Sequence, residues 1–124
     1  MDIKQLSDLQ KNNRVEVLEL LELFSSEYQQ KDYQEKVPMV NVPNELFNQW
    51  EDCCELPLAH EWHKQAYTNE EYLALQVFNV TVQKVASKTP QCLPALSDFI
   101  GTPEWQVLKE AALSAIKAFK QHNT

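Results

Sequence analysis

Between Trp50 and His63 the chain places Trp50, Glu51, Asp52, Cys53, Cys54, Glu55, His60, Glu61, Trp62 and His63 within fourteen residues. Three chemistries could use these side-chain types. The first is metal binding. Cys and His are natural zinc ligands, and His60 and His63 share a helical face at i, i+3. The spacing argues against it. Adjacent cysteines point apart on a helix, zinc motifs usually leave two residues between paired cysteines, and the metalloprotease pattern puts its second histidine at i+4. Cys53, Cys54, His60 and His63 are the residues a metal would have to use, and no metal or other cofactor is expected.

The second chemistry is thiol catalysis. A cysteine nucleophile needs a histidine base in hydrogen-bond contact. Cys54 and His60 are close enough in sequence to permit that, and Glu61 could orient His63. No oxyanion-hole signal and no glycine turn accompanies them. Small buried thiols and solvated charges account for the same residues, so a metal- or Cys-dependent enzyme is the alternative reading here.

The third is a partner-binding face. Aromatic anchors dominate interface energies, and Trp50 and Trp62 are available. Glu45, Glu51, Asp52, Glu55 and Glu61 would steer a basic partner and speed its association. Against this, Trp50 stands in register with Leu46 and Phe47, which argues for at least half burial. The binding reading leads because it uses the uneven charge. Residues 1–62 hold 13 acidic and 5 basic side chains, a net of −8, whereas residues 63–124 hold 5 acidic and 6 basic, a net of +1. The formal charge of −7 therefore belongs to one half. Such a half repels phosphate backbones and attracts basic surfaces.

Helices must position these residues. Ile3, Leu6 and Leu9 suggest a short first helix, interrupted at Asn12-Asn13. Asn13 with Glu16 reads as a capping box. A helix from about Arg14 to Tyr28 follows, with Val17, Leu20, Leu21, Phe24 and Tyr28 on one stripe. The charges Glu16–Glu27 read as its solvated face. Residues 30–43 read as a connection containing Pro38. Pro43 suits the first turn of the next helix, capped by Asn41 or Val42. That helix carries Leu46, Phe47 and Trp50 and is broken by Pro57; a short one from Leu58 to about Tyr67 follows.

Thr68 to Glu71 is a second capping box and opens a segment to about Ser87. Glu71, Leu75, Phe78, Val82 and Val85 form one stripe, and Leu73, Val77 and Val80 form another. Apolar nearly all round, this segment is expected to be the central buried helix. Phe78–Val82 also alternates like a strand, but a lone strand has no evident partner. Pro90 and Pro94 bracket a loop, Leu96 to Ile100 form one turn, and Gly101 stops it. Thr102-Pro103-Glu104 then starts a helix whose stripe is Trp105, Leu108, Ala112, Ala115, Ile116 and Phe119. The expected fold is all-α: a single domain, residues 1–124, of five or six helices around a central buried helix.

Composition closes off other classes. One glycine, Gly101, cannot build a Walker or Rossmann phosphate loop. A single arginine, Arg14, and dispersed lysines give no basic patch for direct nucleic-acid contact. No apolar run reaches the roughly 20 residues that span a bilayer. Three cysteines, two of them adjacent, make no disulfide framework and point to a reducing cytoplasm. The match of Asn79-Val80-Thr81 to a glycosylation acceptor falls inside the expected central helix.

In size, acidity and helicity, though in no motif, the chain resembles small acidic helical proteins that neutralise toxins or nucleases. The sequence thus points to a non-enzymatic, immunity-type binding module or inhibitor for a basic protein partner. A homo-oligomeric scaffold or adaptor is a further reading.

Overall fold

The computed structural model describes residues 7–88 and 93–120, apart from the Leu56 side chain, and every regular element among them is helical. Five helices are nine residues or longer: α1 (Asp8–Ser25), α2 (Glu27–Lys36), α3 (Val42–Trp50), α6 (Asn69–Ser87) and α8 (Pro103–Lys120). Single turns lie between them: α4 (Leu56–Leu58), α5 (Glu61–Lys64) and α7 (Leu96–Phe99). A π-helical turn, Glu51–Glu55, joins α3 to α4.

Local chemistry explains most boundaries. The Thr68–Glu71 capping box closes both ways at the start of α6. Asn41 caps α3 by accepting from the Asn44 amide, with Pro43 in the first turn. Gly101 adopts φ of 88°, a conformation that costs a glycine little. The Thr102 hydroxyl then accepts from the Trp105 amide and starts α8. All six residues of the Trp105–Phe119 stripe are buried.

The first forty residues differ from the sequence pattern. Asn12-Asn13 does not interrupt: Ser7 forms the capping box, with Gln10, and one helix runs through to Ser25. Asn13 is buried in its middle. Ile3 and Leu6 lie outside the described residues, as do Pro90, Cys92 and His122. The helix ends before Tyr28 because the Ser26 hydroxyl accepts from the Gln29 amide and caps a new helix, α2. Tyr28 consequently faces solvent. Much of the expected 30–43 connection is α2, and Gln30 within it is buried. Its Nε2 donates to the Leu23 and Phe24 carbonyls at the end of α1, and its Oε1 accepts from Trp105 Nε1.

One hydrophobic cluster unites these elements. Its aromatic centre is Phe24 of α1, Trp50 of α3 and Phe78 of α6, with Trp50 and Phe78 ring centroids 4.7 Å apart, edge to face. Such pairs add about 0.5–1.5 kcal/mol beyond area burial. Helix α8 packs along both α1 and α6. The stripe Glu71, Leu75, Phe78, Val82 and Val85 is buried as expected, but α6 is not covered on all sides. Leu73, Val77 and Val80 are 59%, 65% and 47% exposed.

A buried ion pair bolts α1 to α6. Arg14 donates to both Glu71 carboxylate oxygens, at 2.7 and 3.0 Å, and to the Ala66 carbonyl. Its guanidinium lies 5.4 Å from the ring centres of both Tyr67 and Phe119. The hydrogen bond it donates to Glu71 raises the Arg14 pKa above its ordinary value, against the opposing effect of burial. No helix among the described residues is long and apolar enough to cross a membrane.

Candidate functional site

Helix α1 organises the Trp50–His63 region. At its start, Gln10 donates to the Trp62 carbonyl at 2.7 Å. One turn on, Asn13 donates to the Cys53 carbonyl, also at 2.7 Å. In an α-helical continuation past Pro57 that carbonyl would have no backbone donor. Proline has no N–H for the carbonyl four residues back, which here is Cys53. The Asn13 amide supplies the missing donor, while its Oδ1 accepts from the Tyr67 hydroxyl. Pro57 thus does not simply end the helix; the chain widens into the π-helical turn, tightens through α4 and leaves a carbonyl pinned to α1. The expected helix from Leu58 to Tyr67 is reduced to the single turn α5.

The π turn divides the acidic cluster. Asp52 turns toward α1 and joins Glu16, Glu19, Gln49 and Cys53 around a groove of about 340 Å³, with Leu20 and Leu23 also lining it. Glu55 turns toward α6 and accepts from Gln83 Nε2 at 3.0 Å. Glu45 accepts from Gln49, one turn along α3. Glu51 and Glu61 are exposed. Among the described residues none of Glu16, Glu19, Glu45, Glu51, Asp52, Glu55 or Glu61 forms an ion pair. The sequence pattern puts Glu16 and Glu19 on an ordinary solvated face. Only the packing of α1 on α3 turns them into one wall of a groove whose other wall carries Asp52.

The two tryptophans part company. Trp50 is fully buried, and its Nε1 donates to Asn79 Oδ1 at 2.9 Å. It is a core residue and offers no surface to a partner. Its register with Leu46 and Phe47 carried that signal. Trp62 is 43% exposed, edge-on to the His63 ring. Gln10 ties its backbone to the start of α1, the helix whose next turns carry Glu16 and Glu19.

The thiols have the character of structural groups. Burial, with the Glu16 charge adding to it, pushes the Cys53 thiol up to about 12. Burial raises Cys54 as well, reinforced by Cys53. A nucleophilic cysteine needs the opposite shift. Among the described residues neither thiol is hydrogen-bonded to His60 or His63. Nor do they bring three or more His, Cys, Asp or Glu side chains to metal-binding separation. His63 keeps a buried Nδ1 with no hydrogen-bond partner, beneath Trp62.

Motif reading gives Gln10 no role, makes Asn13 a helix cap and places Arg14 at a helix start, so none of the three stands out as a site residue. The signal for them was present. They occupy positions i, i+3 and i+4, and continue the Val17–Leu20–Leu21–Phe24 stripe toward the start of α1. Polar residues on a core stripe must find partners inside the protein. No family model, curated protein or solved structure matches this chain.

Proposed function

We propose that this chain is a small acidic binding module that engages, and thereby neutralises, a basic protein partner such as a toxin or a nucleic-acid enzyme. One observation carries the reading. The groove between α1 and the α3–π-turn segment has an aliphatic floor and three carboxylates, Glu16, Glu19 and Asp52, with no cation paired to them among the described residues. An Arg or Lys side chain fits such a groove, with its methylene stem on Leu20 and Leu23 and its charged head at the rim. Trp62 and Glu61, tied through Gln10 to the start of the same helix, offer an exposed aromatic edge and another charge. The shallow acidity of Glu45 and Glu51 steers the approach.

The test is native mass spectrometry of the protein purified gently from its own cells, beside a Glu16→Lys/Asp52→Lys variant. The parent is expected to carry a second, basic chain at low ionic strength, and the variant to lose it. Both carboxylates are at the surface, so the melting temperature should stay within the small range of surface substitutions. Equal retention of the basic chain by parent and variant at low salt would refute the reading.

A further inference from the structure

Asn13 stands where helix propensity would not put it. It is buried in the middle of α1, although asparagine is a poorer helix former than alanine or leucine. Its side chain is engaged at both ends. Nδ2 donates to the Cys53 carbonyl at 2.7 Å, and Oδ1 accepts from the buried Tyr67 hydroxyl. Turned the other way, Oδ1 would face that carbonyl, acceptor against acceptor. Tyr67 therefore holds the donor end of the amide toward the π turn. Such turns frequently mark functional sites.

The tie sits beside the acidic groove. Cys53 lines that groove, and Asp52 on the same wall precedes it in the chain. On the facing wall Glu16 comes three residues after Asn13, about 4.5 Å along α1 at 1.5 Å per residue. Among the described residues no other hydrogen bond joins α1 to α3 or the π turn. Without the Asn13 amide the Cys53 carbonyl becomes a part-buried acceptor with no donor. That cost draws the turn outward toward water. Asp52 and Cys53 would move with it, away from Glu16.

We propose that Asn13, oriented by Tyr67, is the positioning residue of the acidic groove. Its bond to the Cys53 carbonyl sets the separation of Glu16 and Glu19 from Asp52, and with it the affinity for an arginine or lysine head group. The second half of this statement rests on the cation-binding role proposed for the groove; the first half does not.

Two measurements on the full chain test it. The first needs no partner: alkylation by iodoacetamide at mildly alkaline pH, resolved to Cys53 by peptide mass spectrometry. Burial and the Glu16 charge hold that thiol up to about 12, against 9.0 ordinarily. A return of one third of the way multiplies the thiolate present about tenfold, so Cys53 of Asn13→Leu is expected to alkylate about tenfold faster. The second is an NMR titration with a tri-arginine peptide at low salt. The parent should show saturable shifts at the Glu16 and Asp52 amides. Asn13→Leu should bind about tenfold more weakly, the equivalent of one charged contact. Tyr67→Phe keeps the ring and removes only the orienting hydroxyl, and should move both readouts the same way by less. Val85→Ala, a core truncation in the last turn of α6, controls for lost stability and should move neither. The proposal is overturned if Asn13→Leu alkylates and binds as the parent does, or no differently from Val85→Ala. If the parent ignores the peptide while Cys53 is still released in Asn13→Leu, the cation-binding role falls and the positioning of the turn by Asn13 is upheld.

Discussion

Removing one partner of the Arg14–Glu71 pair should be among the costliest single changes in this protein. Glu71 is fully buried, accepts two guanidinium bonds, and also accepts from the Thr68 amide through Oε1. In Glu71→Ala the Arg14 charge stays between Tyr67 and Phe119 with only the Ala66 carbonyl as acceptor. Breaking a buried pair from one side typically costs about 3–5 kcal/mol, and losing one cap bond adds about 1 kcal/mol. The total, about 4–6 kcal/mol, matches the lower end of the whole stability of an ordinary domain, about 5–15 kcal/mol. Urea unfolding followed by circular dichroism should show the midpoint falling with an unchanged slope. Glu71→Gln, which retains an acceptor for the Thr68 amide, should cost less. Replacing both partners, Arg14→Met with Glu71→Leu, should recover most of the loss, because no buried charge is then stranded. The deficit of Glu71→Ala should persist in high salt, which screens buried pairs weakly. A cost below about 1 kcal/mol, or one that salt abolishes, is the signature of a surface pair and would refute this account.

Alkaline pH should destabilise the fold through its thiols. In the unfolded chain Cys53 loses its proton near 9.0, whereas the folded state holds it to about 12. Between those values the unfolded state binds fewer protons, so stability is full below pH 9 and declines as pH rises toward 12. Cys54 and Tyr67, raised chiefly by burial, act with the same sign. The melting temperature should fall as pH rises above about 9, and less steeply in Cys53→Ser; an equal slope in both would count against the assignment. Gln30→Leu should cost about 2–6 kcal/mol, because it strands Trp105 Nε1 and takes a donor from the Phe24 carbonyl, each buried polar loss being worth about 1–3 kcal/mol, while the Leu23 carbonyl keeps the Ser26 amide. A stability change within experimental error would mean that water replaces the amide.

Local sequence determined the fold class, the limits of α6 and the inward stripe of α8. Those features rest on capping residues, prolines and periodic apolar positions, which act within a few residues of one another. Ser26 and Gln30 marked the break between α1 and α2, but through a hydroxyl cap inside an otherwise helical pattern. The tertiary structure alone decided which acidic residues face one another. Glu16 and Glu19 belong to one helix and Asp52 to a turn some thirty residues later, and their shared groove exists only because α1 packs on α3. It also decided that Leu73, Val77 and Val80 go uncovered, since periodicity states which faces of a helix are apolar but not which neighbours arrive to bury them. Arg14 and Glu71 show the boundary most clearly. Each was visible as a charge on a core stripe, but only the docking of α1 against α6 makes one the partner of the other.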